Sequence, residues 1–256
     1  MNNKYEFNFK NKIVVVTGGS SGLGRAIKRA FAYKGAIVIV ADINKEEVNN
    51  DTSEMNDNNL HTHFEYLNVT DEQMVIGFVN NITDKYGKID ILINSAGINI
   101  RKPIIETSLD DLKKVFNVNF FGTFLMTKEI VKAMINKKVN GKIVNLASIF
   151  GAIAYKNQCS YASSKGAVVQ FTKVAAIECA KYGICVNAIA PSYIETPLVK
   201  SLMADKETYD ELRSKNPMQK FGQPEDVVGT SLFLSSPMAN FITGQTIFVD
   251  GGWTIW

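Results

Sequence analysis

The chain is short of everything that would mark a disulfide-stapled, metal-binding or membrane-spanning protein. Its three cysteines, Cys159, Cys179 and Cys185, are odd in number and form no CxxC pair. That excludes a disulfide framework and a zinc ligand set, and a reducing cytoplasm is the expected compartment. The two histidines, His61 and His63, lie beside one predicted strand and receive no role. No apolar run approaches the roughly 18 residues of a membrane span. The opening stretch MNNKYEFNFKNK is polar, so the expectation is a soluble, unprocessed chain with no membrane partner. Charge of one sign is also lacking: a formal +3, dispersed along 256 residues, leaves no footprint for nucleic acid. Arginine is scarce, four against 24 lysines, a bias that reflects source composition rather than a binding surface. Repeats, low-complexity tracts and linkers are absent.

What is present is ordinary for a globule, 46% apolar and 21% charged, at a length one core can fill. Short β-branched runs alternate with helical spacing. The pattern predicts strands at 13–16, 36–41, 62–67, 89–94, 142–147, 183–190 and 245–249. Between them it predicts helices at 25–34, 72–86, 108–136, 159–182 and 224–234, the second capped by Thr70-Asp71. Residues 44–59 read as a short helix and a loop, and 192–222 as helical pieces forming a flap. The fold class is therefore α/β: one domain over 1–256, a doubly wound parallel sheet of about seven strands with helices on both faces. The two long helices should lie side by side on one face.

Thr17-Gly18-Gly19-Ser20-Ser21-Gly22-Leu23-Gly24 stands between the first strand and its helix. Phosphate binding needs a backbone that approaches the ligand closely and a helix N-terminus whose free N–H groups face the anion. Glycines at 18, 22 and 24 supply both. The spacing is GxxxGxG rather than the usual GxGxxG of a Rossmann-type dinucleotide site, but a turn needing positive φ would explain one glycine, not three. Asp42, at the end of the second strand, can accept both ribose hydroxyls of an adenosine half and would repel a 2′-phosphate. No arginine stands at Ser20, Ser21, Ile43 or Asn44 to receive that phosphate, which selects NAD. The plainer alternative makes Asp42 a helix cap or turn former.

Tyr161 and Lys165, four apart, share a helix face. With 9 tyrosines and 24 lysines, chance nearly supplies one such pair. Ser148, just past the fifth strand at the carboxyl edge, gives the pair a third member. These types suit carbonyl–alcohol interconversion, where a hydride moves at carbon and a proton at oxygen. A phenol of pKa about 10 is a poor base at neutrality. A nearby ammonium lowers it, so Lys165 would make Tyr161 usable, while Ser148 holds the substrate oxygen.

The sequence resembles the short-chain dehydrogenase/reductase family over essentially its whole length. The motifs are TGGSSGLG at 17–24, NSAG at 94–97, NVNFFG at 117–122, Ser148, YASSK at 161–165 and VNAIAPSYIETP at 186–197. The resemblance implies that Asn119 distorts its helix to hold a water in a proton relay with Lys165. It also implies that Lys165 binds the nicotinamide ribose, that Ile194 and Thr196 contact the carboxamide, and that the chain is a homotetramer built partly on paired long helices. On the cofactor side it implies Thr17, Gly18, Ser20, Ser21, Gly22, Leu23, Gly24, Asp42, Asn68, Val69, Asn94, Ala96, Gly97 and Pro191. Three positions depart from the family pattern. Ser95 replaces an Asn of NNAG. Asn68 replaces an Asp and can still accept from the adenine amino group. Ser192 replaces the Gly after Pro191.

The segment AGINIRKPIIE at 96–106 and the ending VDGGW at 249–253 resemble the gluconate 5-dehydrogenase and deoxygluconate dehydrogenase branch. A sugar acid carries a carboxylate that wants a fixed cation, and Arg101 can serve as its bidentate partner. The alternative is a solvated loop arginine. Gln158 is a candidate for sugar hydroxyls, or an amide facing water. A 3-oxoacyl-thioester reductase and a non-catalytic dinucleotide sensor are the competing functions. Residues 195–216 are expected to form a lid that orders on cofactor binding.

Overall fold

The computed structural model describes residues 6–45, 55 and 60–255. Seven strands form one wholly parallel sheet in the order β3-β2-β1-β4-β5-β6-β7. They are β1 (Ile13–Thr17), β2 (Ile37–Asp42), β3 (Thr62–Tyr66), β4 (Ile91–Asn94), β5 (Lys142–Leu146), β6 (Cys185–Pro191) and β7 (Thr246–Val249). The predicted strands all appear, trimmed or shifted by a residue or two. Most of 44–59 lies outside the described residues.

Continuous apolar strands mean two covered faces, and alternate side chains divide between them. Val14, Val16, Val38 and Val40 pack with Ile27 and Phe31 of α1 (Gly22–Tyr33) and with Val227 and Leu232 of α8 (Pro224–Ser235). Their neighbours Ile13, Val15, Ile39, Leu92 and Ile143 pack on the other face with Val75 and Val79 of α2 (Glu72–Tyr86). Asp71 caps that helix, its carboxylate accepting from the Met74 amide at 3.0 Å. The same face takes α4 (Thr123–Asn136) and α5 (Cys159–Ala180), whose Met126, Ile130 and Ala176 enter one core. Phe124 and Phe171 set their rings edge to face, so the two long helices do lie together.

The predicted helix at 108–136 is not continuous. It runs as α3 (Leu109–Phe116), a π-turn (Asn117–Gly122) and α4. Between β6 and α8 the flap contains a 3-10 turn (Pro197–Val199), α6 (Lys200–Ala204) and α7 (Lys206–Ser214). The chain crosses from one face to the other between β1 and β4, and the crevice outside their carboxyl ends is where ligands of open α/β sheets bind.

Candidate active site

At the mouth of β1 the backbone turns hard. Gly18 has φ +64, and a Cβ on it would meet the Ala96 Cα at 2.7 Å. A Cβ on Gly24 would overlap the Gly18 carbonyl oxygen. Only glycine lets this turn press against the β4 loop while α1 starts immediately behind it. The first turn of α1 has no acidic residue, and the Ser21 hydroxyl makes no capping bond. Its N-terminal N–H groups thus present an anion cradle into a cleft of about 420 Å³ lined by Gly18, Ser20, Ser21, Gly22, Leu23 and Gly24.

Asp42 closes one end of that cleft, with Asn68 and Val69 beside it. Its carboxylate accepts from the Ser20 amide at 2.9 Å and the Asn44 amide at 3.0 Å. The turn-forming role and a position facing the cleft therefore coexist in one residue. Asn68 differs from expectation. Its Oδ1 already accepts from the Thr70 amide at 3.1 Å and the Thr70 hydroxyl at 2.9 Å. Both lone pairs are thereby used, and the side chain's remaining capacity is as a donor through Nδ2, not as an acceptor for an amino group.

Ala96 and Gly97 line the cleft, but Thr17 and Asn94 stand behind its wall. The Thr17 hydroxyl accepts from the amides of Ser95 at 3.0 Å and Ala96 at 3.1 Å, which fixes the loop. Asn94 is buried and donates through Nδ2 to Thr127 at 3.0 Å and Asn145 at 2.9 Å.

The other end of the cleft holds Tyr161 and Lys165 on the first turns of α5. Ser148 caps the 3-10 turn after β5, accepting from the Phe150 amide at 3.2 Å, and lines the same small cavity as Tyr161. Burial raises the Tyr161 pKa above its usual 10.0, opposed by the nearby Ser148 hydroxyl and by the charge of Arg101. Lys165 was expected to lower it. Instead its Nζ donates to the Leu146 carbonyl at 2.6 Å, 5.7 Å from the Tyr161 ring centre, and burial brings its own pKa down to about 8. Arg101 is the cation that opposes the rise.

Asn119 sits inside the π-turn, fully buried. Its Oδ1 accepts from the Ile98 amide at 2.8 Å, and its Nδ2 donates to the Ile98 carbonyl and to Ser164, both at 3.0 Å. The extra residue of the π-turn carries Asn119 onto the β4 loop. A Cβ placed on Gly97 would lie 3.4 Å from the Asn119 amide oxygen and 3.6 Å from Lys165 Nζ, so both groups flank the same point.

Beyond Tyr161 a smaller cavity of about 70 Å³ is lined by Ser148, Arg101, Pro191 and Ile194. Thr196 and Leu198 border both spaces. Arg101 donates from one Nη to the Leu198 carbonyl at 3.2 Å, while its buried Nε has no protein partner among the described residues. It is half-buried rather than fully solvated. Gln158 neither lines the cavity nor faces water: it is 3% exposed and accepts from Asn99 Nδ2 at 3.0 Å. Asn99, Phe150 and Tyr193 line the cavity unforeseen. Of these only Asn99 carries a signal in the sequence, two residues past the NSAG turn. The flap is tied to the loop after Ser148: Tyr155 donates to Glu211 of α7 at 2.8 Å, and Lys215 donates to the same carboxylate at 2.6 Å. These partners pull the Glu211 carboxyl down to about 2.

Among the described residues no three His, Cys, Asp or Glu gather to hold a metal ion, and no helix is long and apolar enough to cross a membrane. A switch-point crevice that runs from a glycine cradle to a tyrosine–lysine face is the layout of a dinucleotide-dependent oxidoreductase. The sequence model of a family described as Enoyl-(Acyl carrier protein) reductase matches residues 18–254. A 3-oxoacyl-[acyl-carrier-protein] reductase of Thermotoga maritima is 38% identical over 96% of this chain and 99% of its own. An NAD-dependent glycerol dehydrogenase of Listeria innocua is 38% identical over 98% and 96%. A 2-dehydro-3-deoxy-D-gluconate 5-dehydrogenase of Formosa agariphila is 33% identical over 96% and 94%. The crystal structure of a gluconate 5-dehydrogenase from Burkholderia cenocepacia, in complex with NADP and tartrate, superposes with a TM-score of 0.93 at 32% identity, covering 97% of both chains. The chain belongs to the short-chain dehydrogenase/reductase family and is an oxidoreductase acting on CH–OH groups with a nicotinamide dinucleotide.

Proposed function

We propose that the protein interconverts a secondary alcohol and a ketone on a small sugar acid, with NAD as the dinucleotide. Arg101 carries the reading: it lines the same small cavity as Ser148 and Tyr161, and its Nε has no hydrogen-bond partner among the described residues. A half-buried cation of that kind suits a carboxylate held bidentately. Asp42 supports NAD over NADP, because a 2′-phosphate would meet its carboxylate. The gluconate 5-dehydrogenase with tartrate and the glycerol dehydrogenase described above add support for the substrate class and the cofactor respectively.

The dinucleotide, when bound, accepts or supplies hydride. In alcohol oxidation Tyr161 removes the hydroxyl proton, and in ketone reduction it returns it. Ser148 holds the substrate oxygen by a hydrogen bond. Lys165 binds the nicotinamide ribose, while the charge of Arg101 offsets the burial that keeps the phenol protonated. Asn119 holds a water that passes the proton from Lys165 outward. Ile194 and Thr196 take the carboxamide, Asn68 donates to the adenine ring, and Asn99, oriented by Gln158, meets the sugar hydroxyls. Residues 195–216 act as the lid, hinged between the Arg101–Leu198 contact and the Glu211 tether. Amide exchange there should slow when NAD is added, and equal rates with and without it would end the lid assignment. The exposed Phe121 of the π-turn, with Phe124, Val174 and Ile177 on the paired long helices, favours assembly into a homotetramer; the location we propose is the cytoplasm.

The test compares substrates. Arg101→Ala should raise KM for a keto-sugar acid by about 30-fold, the loss of a charge-assisted pair, and barely change it for a neutral ketose. Equal losses on both sink the assignment. The Thermotoga relative favours a second reading, reduction of a 3-oxoacyl thioester. Faster turnover of acetoacetyl-coenzyme A with NADPH than of any sugar acid with NAD would select it.

A further inference from the structure

At the amino-terminal edge of the sheet, opposite the cleft, β5 and β6 open on Lys142 and Cys185, which are register partners. Lys142 is 7% exposed, and its Nζ donates to Cys185 Sγ at 3.3 Å and to the Ala239 carbonyl at 3.1 Å. The thiol donates to the Asn240 carbonyl at 3.6 Å. Neither backbone can drift: the Cys185 amide bonds the Gly141 carbonyl at 3.0 Å, and the Lys142 amide bonds the Asp90 carbonyl at 3.1 Å. Cys185 is half-buried, so a small oxidant reaches its sulfur. Among the described residues neither Cys159 nor Cys179 has a lysine amine hydrogen-bonded to sulfur. We propose that Lys142 and Cys185 form an oxidative modification site, where hydrogen peroxide joins Nζ to Sγ through a single bridging oxygen.

The catalytic chemistry uses none of these groups, and the pairing is not what a sheet edge requires. A lysine there would ordinarily extend into water. Here it is folded inward against a sulfur that is both oxidisable and reachable. The Cys185 sulfur attacks one peroxide oxygen, the O–O bond breaks, and a sulfenic acid and water result. A second peroxide oxidises the Lys142 amine, after it has given its extra proton to water, to a hydroxylamine, again releasing water. The hydroxylamine oxygen then forms the O–S bond, and the sulfenic hydroxyl leaves as a third water. Sulfur and nitrogen each lose two electrons, and two peroxides gain four. A free sulfenic acid has to find a partner by diffusion. This one already has the nitrogen in contact, one oxygen's breadth away.

Full-length protein treated with hydrogen peroxide, then unfolded, digested with a glutamate-specific protease and weighed, tests this directly. The expected product is a linked pair of peptides carrying Lys142 and Cys185, about 14 Da heavier than their sum, one oxygen gained and two hydrogens lost. Dithiothreitol should return both peptides unmodified. Lys142→Arg keeps the cation but cannot form the link, so its Cys185 should instead gain about 16 or 32 Da. Wild-type Cys185 carrying those acid adducts with Lys142 unmodified overturns the proposal. A link about 2 Da lighter than the sum, with no oxygen in it, does so as well.

Discussion

Replacing Lys165 with methionine should stabilise the protein at neutral pH while abolishing turnover. Lys165 is 5% exposed, and burial lowers its pKa from 10.5 to about 8. At about 1.4 kcal/mol per pKa unit, the folded chain bears a cost of roughly 3 kcal/mol for holding this ammonium. Below pH 8 both folded and unfolded chains keep the proton and the whole cost falls on the fold. Above 10.5 neither keeps it and the cost is gone. Between those values the unfolded chain binds more protons, so wild-type stability rises with pH through that window. Methionine occupies a similar unbranched volume without charge, but it withdraws the donor that the Leu146 carbonyl now has at 2.6 Å, a loss of about 1 kcal/mol. The balance is a gain of about 2 kcal/mol near pH 7 that fades and reverses by about pH 11. Urea unfolding of both proteins, followed by circular dichroism at several pH values, measures it. A methionine variant less stable at pH 7, or a difference that does not shrink as pH rises, refutes the reasoning.

Tyr161→Phe removes the acid/base group and should cut turnover by about a hundredfold or more while leaving dinucleotide affinity nearly unchanged by fluorescence titration. Because burial holds the phenol above 10.0, wild-type alcohol oxidation should keep rising with pH beyond neutrality, and a plateau reached in the acid range would contradict the assignment. Asp42→Ala should reduce the preference for NADH over NADPH by about tenfold, the effect of removing roughly 1.4 kcal/mol of repulsion; a wild type that prefers NADPH would defeat it at the outset. Thr172→Val deletes the hydroxyl that accepts from Asn145 Nδ2 at 2.9 Å in a fully buried position. It should cost about 1–3 kcal/mol by chemical denaturation, and no measurable loss would show that the polar ladder across β4 and β5 contributes little.

The strands were legible because burial on both faces leaves an unbroken β-branched run, and Val14-Val15-Val16 announces that without help. Gly18 and Gly24 were legible for a related reason, since only contact too close for a Cβ explains them. What the sequence could not convey was the direction of polar side chains. Asn68 was read as an acceptor, but Thr70, two residues on, consumes its oxygen. Gln158 is expected either at sugar hydroxyls or facing water, whereas Asn99 from a distant loop takes its amide oxygen and lines the cavity instead. Lys165 was placed against the phenol by helix spacing, yet a long flexible side chain goes where a carbonyl awaits it, here Leu146. The interruption of the long helix at 117–122 left no trace in its apolar spacing and came only from the family resemblance. Each failure concerns a group whose partner is chosen in three dimensions rather than along the chain.

The π-turn at Asn117–Gly122 amounts to one residue more than an unbroken helix would contain. Such an insertion can be undone. Deleting a residue within it would let α3 and α4 fuse into a single rod with full i to i−4 bonding, and would swing Asn119 about a quarter turn or more away from Ile98 and Ser164. Selection for thermal robustness alone, in the laboratory or in a lineage that no longer needs the reaction, therefore has a short path to a sturdier helix and a silent enzyme. The length of this one segment, counted to the residue, becomes a genetic marker: a relative that keeps the tyrosine and lysine but has lost the extra residue should fold well and turn over poorly.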